Sequence, residues 1–378
     1  MRIVHLSDLH LGKRISEFSL LEDQRYILAR VLDAVSALEP QAVVIAGDIY
    51  DKAVPPAEAV SVFDDFLWEL AARRLDVFVI SGNHDSPERL AFGSRLLGQG
   101  GVHLAPVYDG AVKCVTLEDS FGPVRFYLLP FLRPAQVRRF FPEQEIESYT
   151  DALAAAIGAM DIDMSLRNVL VTHQLVTGAR RSESEDISVG GLDNVDAGVF
   201  APFDYVALGH VHRAQSIGPG DRIRYCGTPM KYAFSEAGQQ KSLTVAALGA
   251  KGTLEVETCP LHPLRDMREK RGRYLDLTAR ADYAGSSRED YMHITLTDEE
   301  DIPDAAGKLR AIYPNLMRLD YDNARTRAGQ SPLGAAAPER SPMDIFGEFY
   351  EKQNGTPLSA CQTELAAALM RQIWEDGE

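Results

Sequence analysis

The sequence has few cysteines and no long hydrophobic run. Its four cysteines are widely separated and form no CxxC pair: Cys114, Cys226, Cys259 and Cys361. This spacing argues against a thiolate zinc site and a disulfide framework, and it favours a reducing cytoplasm as the location. No apolar stretch approaches the roughly 18 residues of a membrane span, and Asp8 interrupts the N-terminus before a signal peptide could form. We therefore expect neither export by such a signal nor a membrane-spanning segment.

The chain also lacks an excess of basic charge. Lys and Arg number 39 against 55 Asp and Glu, which gives a formal net charge of −16. Such a balance argues against a dispersed basic surface that would coat nucleic acid or anionic lipid. Any contact with nucleic acid must therefore be local or assisted by a partner.

The composition is that of an ordinary globular protein. Hydrophobic residues make up 45% and charged residues 25% of the chain, which argues against wholesale disorder, a coiled coil or a fibrous repeat. A length of 378 residues predicts two to three domains, at about 150 residues each.

Apolar runs and helical periodicity alternate in the first half of the chain. Strands are predicted near 3–6, 42–46 and 77–80, with helices near 20–38 and 56–73 between them. Later strand candidates have closer, hairpin-like spacing: Val124–Leu129, Val169–Thr172, Tyr205–Leu208, Ile223–Cys226 and Leu243–Ala247. The pattern predicts a layered α/β sandwich with mixed sheets.

A polar run over Arg265–Arg273 suggests a domain boundary, so the first domain is predicted over 1–270. A small α+β module is predicted over 271–323, followed by a linker over 324–342 that is rich in Ala, Gly, Pro, Ser and Arg. The last part, 343–378, is predicted to be helical. The individual elements of these two parts are strands at Tyr274–Thr278, Met292–Thr297 and Leu316–Tyr321, and helices near 302–313, 343–353 and 357–375.

Side chains that bind metals follow five of the predicted strands. They are Asp8 and His10, Asp48 and Asp51, Asn83, His84 and Asp85, His173, and His210 and His212. Because the carboxyl ends of strands line a common crevice in layered α/β folds, we expect these side chains to converge. The i, i+2 spacing of Asp8 with His10, and of His210 with His212, predicts extended segments that aim two side chains in one direction.

The number of donors indicates the kind of site. Without His84, Asp51 and Asp85, the set holds two aspartates, one asparagine and four histidines. That is too many for one tetrahedral zinc ion and suits two octahedral ions that share a carboxylate. Oxygen and imidazole ligands without thiolate favour Mn²⁺ or Fe²⁺. Two such ions can clamp a phosphate for in-line displacement, so the chemistry implied is phosphoester hydrolysis.

The set resembles the signature of the calcineurin-like metallophosphoesterase superfamily. It reads Asp8-x-His10, Gly47-Asp48-x-x-Asp51, Gly82-Asn83-His84-Asp85, His173 and Gly209-His210-x-His212. Within the superfamily the sequence is most similar to the SbcD family of nuclease subunits, in His5–Lys13, Ser182–Glu185 with Val189–Gly191, Phe203–His210 and Tyr225–Glu236. The resemblance covers residues 1 to about 250 well. It implies an α/β/β/α sandwich with a small α+β capping domain and C-terminal helices.

The resemblance also implies roles for individual residues. One ion would be held by Asp8, His10, Asp48 and His212, and the other by Asp48, Asn83, His173 and His210, with Asp48 bridging. His84 would lie over the phosphate as general acid, or as stabiliser of the developing charge and the leaving oxygen, and Asp85 would orient it. Asp51 could support a ligand from behind or end the turn. Where relatives commonly have Gly-Ser-Pro, this chain has Gly227-Thr228-Pro229, which keeps the hydroxyl.

The function implied by the resemblance is that of a DNA nuclease with two Mn²⁺ ions per chain, Fe²⁺ or Mg²⁺ being less favoured. It would be a 3′-to-5′ exonuclease on double strands and an endonuclease on single strands, acting on ends and hairpins in DNA repair. Its partner would be an SbcC-type ATPase, and the chain would form a homodimer. The first two helices could supply the dimer interface, or their apolar stripes could belong to the core. A small-molecule or protein phosphoesterase and a metal-free scaffold are the alternatives.

Local basic residues near the motifs offer DNA contacts in an otherwise acidic chain. These are Lys13, Arg14, Arg89, Arg133, Arg138, Arg139, Arg180 and Arg181. The ATPase would dock on the C-terminal helices, whose clustered aromatic and apolar residues are too many for a free tail. Those helices could instead pack on their own domain. The residues concerned are Ile345, Phe346, Phe349, Tyr350, Leu365, Leu369 and Trp374.

Overall fold

The computed structural model describes residues 1–185, 193–285, 287–300, 302–324, 326, 343, 346–347, 350–351 and 356–375. Contacts within the chain divide it into two units, Met1–Asp320 and Tyr321–Glu378. Most of the linker predicted over 324–342, most of the helix predicted over 343–353, and the Val189–Gly191 motif lie outside the described residues. The domain boundaries predicted at 270 and 323 stay predictions.

The first sheet has six strands. The four of them that come earliest in the sequence lie side by side and are parallel. Their order across the sheet is Leu254–Pro260, Ser242–Leu248, Arg2–Leu6, Ala42–Ala46, Asp76–Ile80 and Val102–Ala105. Helices Leu21–Leu38 and Ala57–Ala72 cover the outer face of this sheet. On the second of these helices the side chains of Phe63, Phe66 and Leu70 are buried, whereas Val60 remains 44% exposed.

The second sheet also has six strands and mixes parallel with antiparallel pairs. Its order is Gln215–Ser216, Ile223–Tyr225, Tyr205–Gly209, Arg167–His173, Gly122–Leu129 and Lys113–Asp119. Helices Pro134–Arg138 and Tyr149–Gly158 pack on its outer face.

The two sheets face each other across an apolar layer. Val44 and Phe78 of the first sheet meet Phe126, Val171 and others of the second. The rings of Phe78 and Phe126 stack with centroids 4.3 Å apart. Helix, sheet, sheet and helix therefore form four layers, which confirms the predicted α/β/β/α sandwich.

The small module is built on a three-stranded sheet of Met267–Gly272, Tyr291–Leu296 and Leu316–Tyr321, with the helix Ala305–Arg310. The strand predicted at Tyr274–Thr278 is wrong, because Tyr274–Leu277 is helical and the polar run before it forms the strand. This edge strand leaves most of its side chains exposed, so it lacks the apolar alternation by which strands are recognised.

Short elements complete the described structure. They are the strand pairs Arg14–Ile15 with Phe18–Ser19 and Leu175–Val176 with Asn194–Val195, the helices Pro87–Leu90, Ser94–Leu97 and Arg280–Tyr283, and the 3₁₀ turns Gly98–Gly100, Ala197–Phe200 and Phe234–Glu236.

The C-terminal unit contains the helix Ala360–Glu375, close to the helix predicted over 357–375. Leu365 and Leu369 lie one turn apart on it and are 61% and 51% exposed. Within the part of the chain that the structure describes, no helix combines the length and apolar character needed to cross a membrane.

Candidate metal centre

The seven predicted ligands come together where strands of both sheets end. Asp8 and Asp48 follow the strands Arg2–Leu6 and Ala42–Ala46 of the first sheet, and His173 is the last residue of a strand in the second. Asn83, His210 and His212 follow other strands of the same two sheets. Three overlapping groups of possible donors result: Asp8, His10 and His212; His10, Asp48 and His84; and Asp8, Asp48 and His173.

The Asp48 carboxylate lies at the centre of the cluster and is 2% exposed. Its Oδ2 atom is 3.7 Å from His10 Nε2, 3.4 Å from His173 Nε2 and 3.9 Å from His84 Nε2. Histidines thus surround one carboxylate oxygen from two sides. This is the position that a bridging ligand between two ions would occupy.

The donors on one side of Asp48 suit a cation. His10 Nε2 lies 3.0 Å from His212 Nε2, and Asp8 belongs to the same group. Burial holds the pKa of His10 well below its ordinary value, so its ring is neutral. His10 Nδ1 is buried and has no hydrogen-bond partner among the described residues. Two imidazole nitrogens that face each other beside a buried carboxylate fit a divalent ion.

The donors on the other side are Asn83, His173 and His210. Asn83 Oδ1 is 3.0 Å from His173 Nε2 and 3.0 Å from His210 Nδ1. His173 Nδ1 lies 2.8 Å from the carbonyl of Ala46 and donates to it, which turns Nε2 toward the cluster. Burial and His173 lower the pKa of His210 to about 3, so His210 is neutral and available as a ligand.

The backbone at the ligands is left-handed and not extended. Asp8, His10, Asp48 and His210 have φ of 54°, 43°, 51° and 101°. The extended i, i+2 segments expected from the spacing are therefore wrong for these positions. The strand Arg2–Leu6 has already ended, and hydrogen bonds across the loops impose the geometry, from Asp8 N to Gly47 O and from His10 N to Asp48 O, both 3.0 Å.

Glycines allow the ligand loops to approach each other. A Cβ on Gly82 would lie 2.0 Å from Asp48 Oδ1 and 2.5 Å from Asp48 N. Gly47 has φ of +86°, and a Cβ there would lie 2.6 Å from His173 Nδ1. A side chain at either position would push a proposed ligand out of place.

His84 and Asp85 have separate surroundings. His84 Nδ1 lies 3.0 Å from the carbonyl of Asp51, which can only accept, so Nδ1 carries the hydrogen and Nε2 faces the cluster. The Asp85 carboxylate accepts hydrogen bonds from the backbone amides of Ile49, Tyr50 and Gly82 at 3.1, 3.0 and 2.9 Å. Burial and Asp48 raise the pKa of Asp85 to about 6. The Asp85 carboxylate thus joins two loops, and its predicted orientation of His84 stays a prediction.

Comparison with known proteins identifies the family of the chain. Residues 1–214 match the calcineurin-like phosphoesterase family, and residues 263–354 match the family described as type 5 capsule protein repressor C-terminal domain. The SbcD subunit of the nuclease SbcCD from Staphylococcus epidermidis is 32% identical over 377 residues, which is 99% of each chain. The chain belongs to the SbcD family. It is therefore a hydrolase of phosphoester bonds.

Two solved structures are similar in fold to this SbcD-family chain. A dimetal phosphatase from Danio rerio is 13% identical, covers 68% of this chain and 95% of its own, and has a TM-score of 0.39. A Thermus thermophilus protein is 12% identical, covers 68% of this chain and 98% of its own, and has a TM-score of 0.39.

In the SbcD-family site, Asp51 contacts the His84 ring at Nδ1, the nitrogen that does not face the cluster. Its carbonyl accepts from the His84 ring, and its carboxylate pairs with Lys13 Nζ at 2.7 Å. Of the two roles left open by the sequence, the geometry favours support of the site. Lys13, which the sequence offered as a DNA contact, is engaged in this ion pair.

Among the predicted basic residues, Arg133 lies beside a cavity at the site. This cavity of about 440 Å³ is lined by the proposed ligands Asn83 and His210 and by Phe131, Tyr149 and Arg133, among others. The Arg133 guanidinium lies 5.9 Å from the centroid of the Phe131 ring. Other predicted candidates are already engaged: Arg89 bonds the Ala53 carbonyl, Arg138 bonds the Ile146 carbonyl and Arg181 pairs with Asp193.

The sequence did not single out the polar residues packed around His212. Ser184 contacts the His212 ring, Glu185 accepts from its backbone amide, and Glu236 and Lys241 form a buried ion pair beside it. Three of the four lie in Ser182–Glu185 and Tyr225–Glu236, segments that carried the resemblance to the SbcD family. That resemblance was the available signal, since no local spacing connects these segments to His212.

Proposed function

We propose that this chain is a Mn²⁺-dependent two-metal nuclease that hydrolyses DNA phosphodiesters. The observation that carries the proposal is the convergence of imidazole and carboxylate donors on Asp48 Oδ2, with His10, His84 and His173 within 3.9 Å. DNA as the substrate is supported by the name of the relative, a subunit of the nuclease SbcCD. The proposed activities are 3′-to-5′ exonuclease on double-strand ends and endonuclease on single strands and hairpins.

The proposal divides the donors between two ions. Asp8, His10, Asp48 and His212 would hold one ion, and Asp48, Asn83, His173 and His210 would hold the other. When bound, the two ions supply Lewis acidity toward the phosphate and lower the pKa of the attacking water. Oxygen and imidazole donors without a thiolate favour Mn²⁺, with Fe²⁺ or Mg²⁺ less favoured.

His84 would supply a proton to the leaving oxygen. Its Nδ1–H is held by the Asp51 carbonyl, and its Nε2 lies 3.9 Å from Asp48 Oδ2, at the edge of the cluster. Protonated at Nε2, the ring would donate to the oxygen of the breaking P–O bond while water adds to phosphorus. The Asp51 carbonyl stabilises this imidazolium because it accepts from the other nitrogen.

The cavity beside Asn83 and His210 would receive a nucleotide next to the cleaved bond. Its volume of about 440 Å³ is open to a nucleoside, and Phe131 and Tyr149 offer aromatic surface for a base. Arg133 would neutralise a neighbouring phosphate, which supplies local positive charge in a chain of net charge −16.

Cleavage of an end-labelled linear duplex with MnCl₂ tests the proposal. The wild type and His84→Ala are compared, each with and without an SbcC-type ATPase and ATP, and a small phosphodiester is assayed in parallel. The wild type should cut DNA, and His84→Ala should bind Mn²⁺ yet cut poorly. Hydrolysis of the small diester alone, equal in both proteins, would instead favour a small-molecule or protein phosphoesterase.

We propose that the C-terminal helices dock an SbcC-type ATPase. On Ala360–Glu375 the exposed side chains of Leu365 and Leu369 are one turn apart and form an apolar strip suited to a helical partner. Co-purification of the ATPase with full-length protein and with a chain truncated after residue 335 tests this. Retention of the ATPase by the truncated chain would contradict the proposal.

We propose that the chain forms a homodimer through an exposed apolar face. Phe92 is 90% and Val60 is 44% exposed, and both line a cavity of about 650 Å³ together with Phe63 and Leu97. Light scattering of wild type and Phe92→Glu tests the interface. A monomeric wild type, or a Phe92→Glu variant that remains dimeric, would contradict it.

We propose a cytoplasmic location as well. All four cysteines are free, and Cys226 is buried. Free thiols are the usual state of cysteine in a reducing compartment. Fractionation of cells that express the protein, with detection in the cytoplasmic and membrane fractions, tests the location.

A further inference from the structure

A chain of hydrogen bonds leads from the His212 ring into the interior. Ser184 Oγ lies 2.6 Å from His212 Nδ1, and the same hydroxyl donates to Glu236 Oε1. Glu236 is buried, and its other oxygen, Oε2, lies 2.8 Å from Lys241 Nζ and 3.2 Å from the amide of Tyr232. The ring, the hydroxyl and the carboxylate thus form a row directed away from the cluster.

The chemistry of these groups fixes where the hydrogens lie. A carboxylate only accepts, so the single hydrogen of Ser184 points at Glu236. The Lys241 ammonium, 2.8 Å from Oε2, pairs with Glu236 and favours its ionised carboxylate form. With its hydrogen committed, Ser184 Oγ can only accept from His212, so Nδ1 of the ring carries the hydrogen and Nε2 does not.

The free Nε2 is the atom that faces the cluster. It lies 3.0 Å from His10 Nε2, and Asp8 completes the group. The other tautomer would place a hydrogen on Nε2 and remove the lone pair needed by an ion. The hydrogen on Nδ1 therefore decides whether His212 is a ligand.

We propose that Ser184 and Glu236 are positioning residues that hold the hydrogen of His212 on Nδ1 and so keep Nε2 available for a divalent ion. The inference rests on the metal site of the proposed function. Within the Ser182–Glu185 segment, it assigns a task in metal binding to Ser184.

The histidines of the cluster differ in how their tautomers are held. His173 donates from Nδ1 to the backbone carbonyl of Ala46, which no side-chain substitution removes. His10 Nδ1 has no hydrogen-bond partner in the part of the chain described. The row behind His212 therefore depends on side chains that mutation can change.

The backbone of His212 is held independently of Ser184. Its amide donates to Glu185 Oε1 at 2.9 Å, and its carbonyl accepts from Lys241 Nζ at 2.9 Å and from the Thr228 amide at 3.1 Å. Removal of the Ser184 hydroxyl should therefore leave His212 in place and only allow its ring hydrogen to move from Nδ1 to Nε2. This separates a positioning effect from collapse of the loop.

Ser182 provides a matched control. Its hydroxyl lies 2.9 Å from the same Glu236 Oε1 and 2.9 Å from Ser184 Oγ, but the hydrogen bonds described for it do not reach the His212 ring. Ser182→Ala and Ser184→Ala each remove one hydroxyl from the same carboxylate. Only Ser184→Ala should remove the hydrogen bond that holds the His212 tautomer.

The first measurement is a Mn²⁺ titration of full-length protein by calorimetry, with Tm as a check on folding. Ser184→Ala should weaken one of the bound ions by about 10- to 100-fold. Ser182→Ala should stay close to wild type, and Ser184→Thr, which keeps the hydroxyl, should recover most of the affinity. Equal losses in Ser182→Ala and Ser184→Ala, or no loss in Ser184→Ala, would overturn the proposal.

The second measurement reads the tautomer directly and needs no metal. Imidazole ¹⁵N shifts of metal-free, histidine-labelled protein, assigned with His212→Asn, should show the Nδ1–H form in wild type and a mixture in Ser184→Ala. An Nε2–H form in wild type would overturn the proposal even if DNA is cleaved. A correct tautomer and Mn²⁺ affinity without DNA cleavage would contradict only the proposed function.

Discussion

The two sheets approach each other closely at Gly209, and a single methyl group there should damage the site. Gly209 ends a strand of the second sheet, and a Cβ on it would lie 1.9 Å from Ala46 O and 2.6 Å from His173 Nδ1. These two atoms form the 2.8 Å hydrogen bond that orients His173. Gly209→Ala therefore inserts carbon against a backbone carbonyl and a proposed ligand.

The size of the effect follows from the distances. Ordinary contact begins near 3.4 Å, so the strands would have to separate by about 1.5 Å in a close-packed region. Overpacking of a core costs about 1 to 3 kcal/mol, and a buried hydrogen bond left unmade costs about 1 to 3 kcal/mol more. We expect the free energy of unfolding to fall by about 2 to 6 kcal/mol and Mn²⁺ affinity to fall with it.

Urea denaturation together with Mn²⁺ titration measures both effects. Gly158→Ala is the matched control, because Gly158 ends the helix Tyr149–Gly158 and no atom lies within 4 Å of an added Cβ. That control should be neutral or slightly stabilising. If the free energy of unfolding of Gly209→Ala is within about 0.5 kcal/mol of the wild-type value and Mn²⁺ binds equally well, the reasoning about this contact is refuted.

Three further predictions concern the site. His84→Ala should reduce the rate of DNA cleavage by about 10²- to 10⁴-fold with Mn²⁺ stoichiometry unchanged, because it removes the acid and no ligand; single-turnover kinetics and metal analysis check this. Asp85→Ala should lower the free energy of unfolding by about 3 kcal/mol or more, since three backbone amides lose their acceptor, and a variant as stable as wild type in urea would exclude that role. Mn²⁺ at about 100 times its Kd should raise the free energy of unfolding of the metal-free protein by about 2.7 kcal/mol, because the buried Asp8 and Asp48 carboxylates gain a cation. An unchanged Tm in scanning calorimetry would argue against the site.

The strands and the order of the ligands were predictable because both are local in sequence. Apolar runs mark the strands, and each ligand follows a run directly, so the edge on which they converge follows from the layering of the fold. The backbone at the ligands was not predictable in the same way. An i, i+2 pair reads as extended, but Asp8 and His10 are left-handed because their amides bond to the neighbouring loop at Gly47 and Asp48.

Contacts between distant segments set the rest of the site. The resemblance implied that Asp85 orients His84, and the sequence alone did not show that its carboxylate accepts from the amides of Ile49 and Tyr50. Ser184 and His212 are 28 residues apart and meet only in the folded structure. A one-dimensional pattern carries no information on such pairings. The polar strand Met267–Gly272 escaped prediction for a related reason, since its pairing in the sheet and not its side chains defines it.

The left-handed ligands explain what holds the site before any ion binds. Asp8, His10, Asp48 and His210 each carry backbone strain on the order of 1 to 3 kcal/mol, which persists only where the surroundings impose it. The restraints are hydrogen bonds between loops, including the His210 amide to Asp8 Oδ1 at 3.0 Å, and none of them needs a metal. Folding of the two sheets therefore orders the ligands, and a divalent ion has only to neutralise charge. In such a site the backbone does not set the ring tautomer of His212. A change at the Ser184 hydroxyl should therefore change the affinity for the metal.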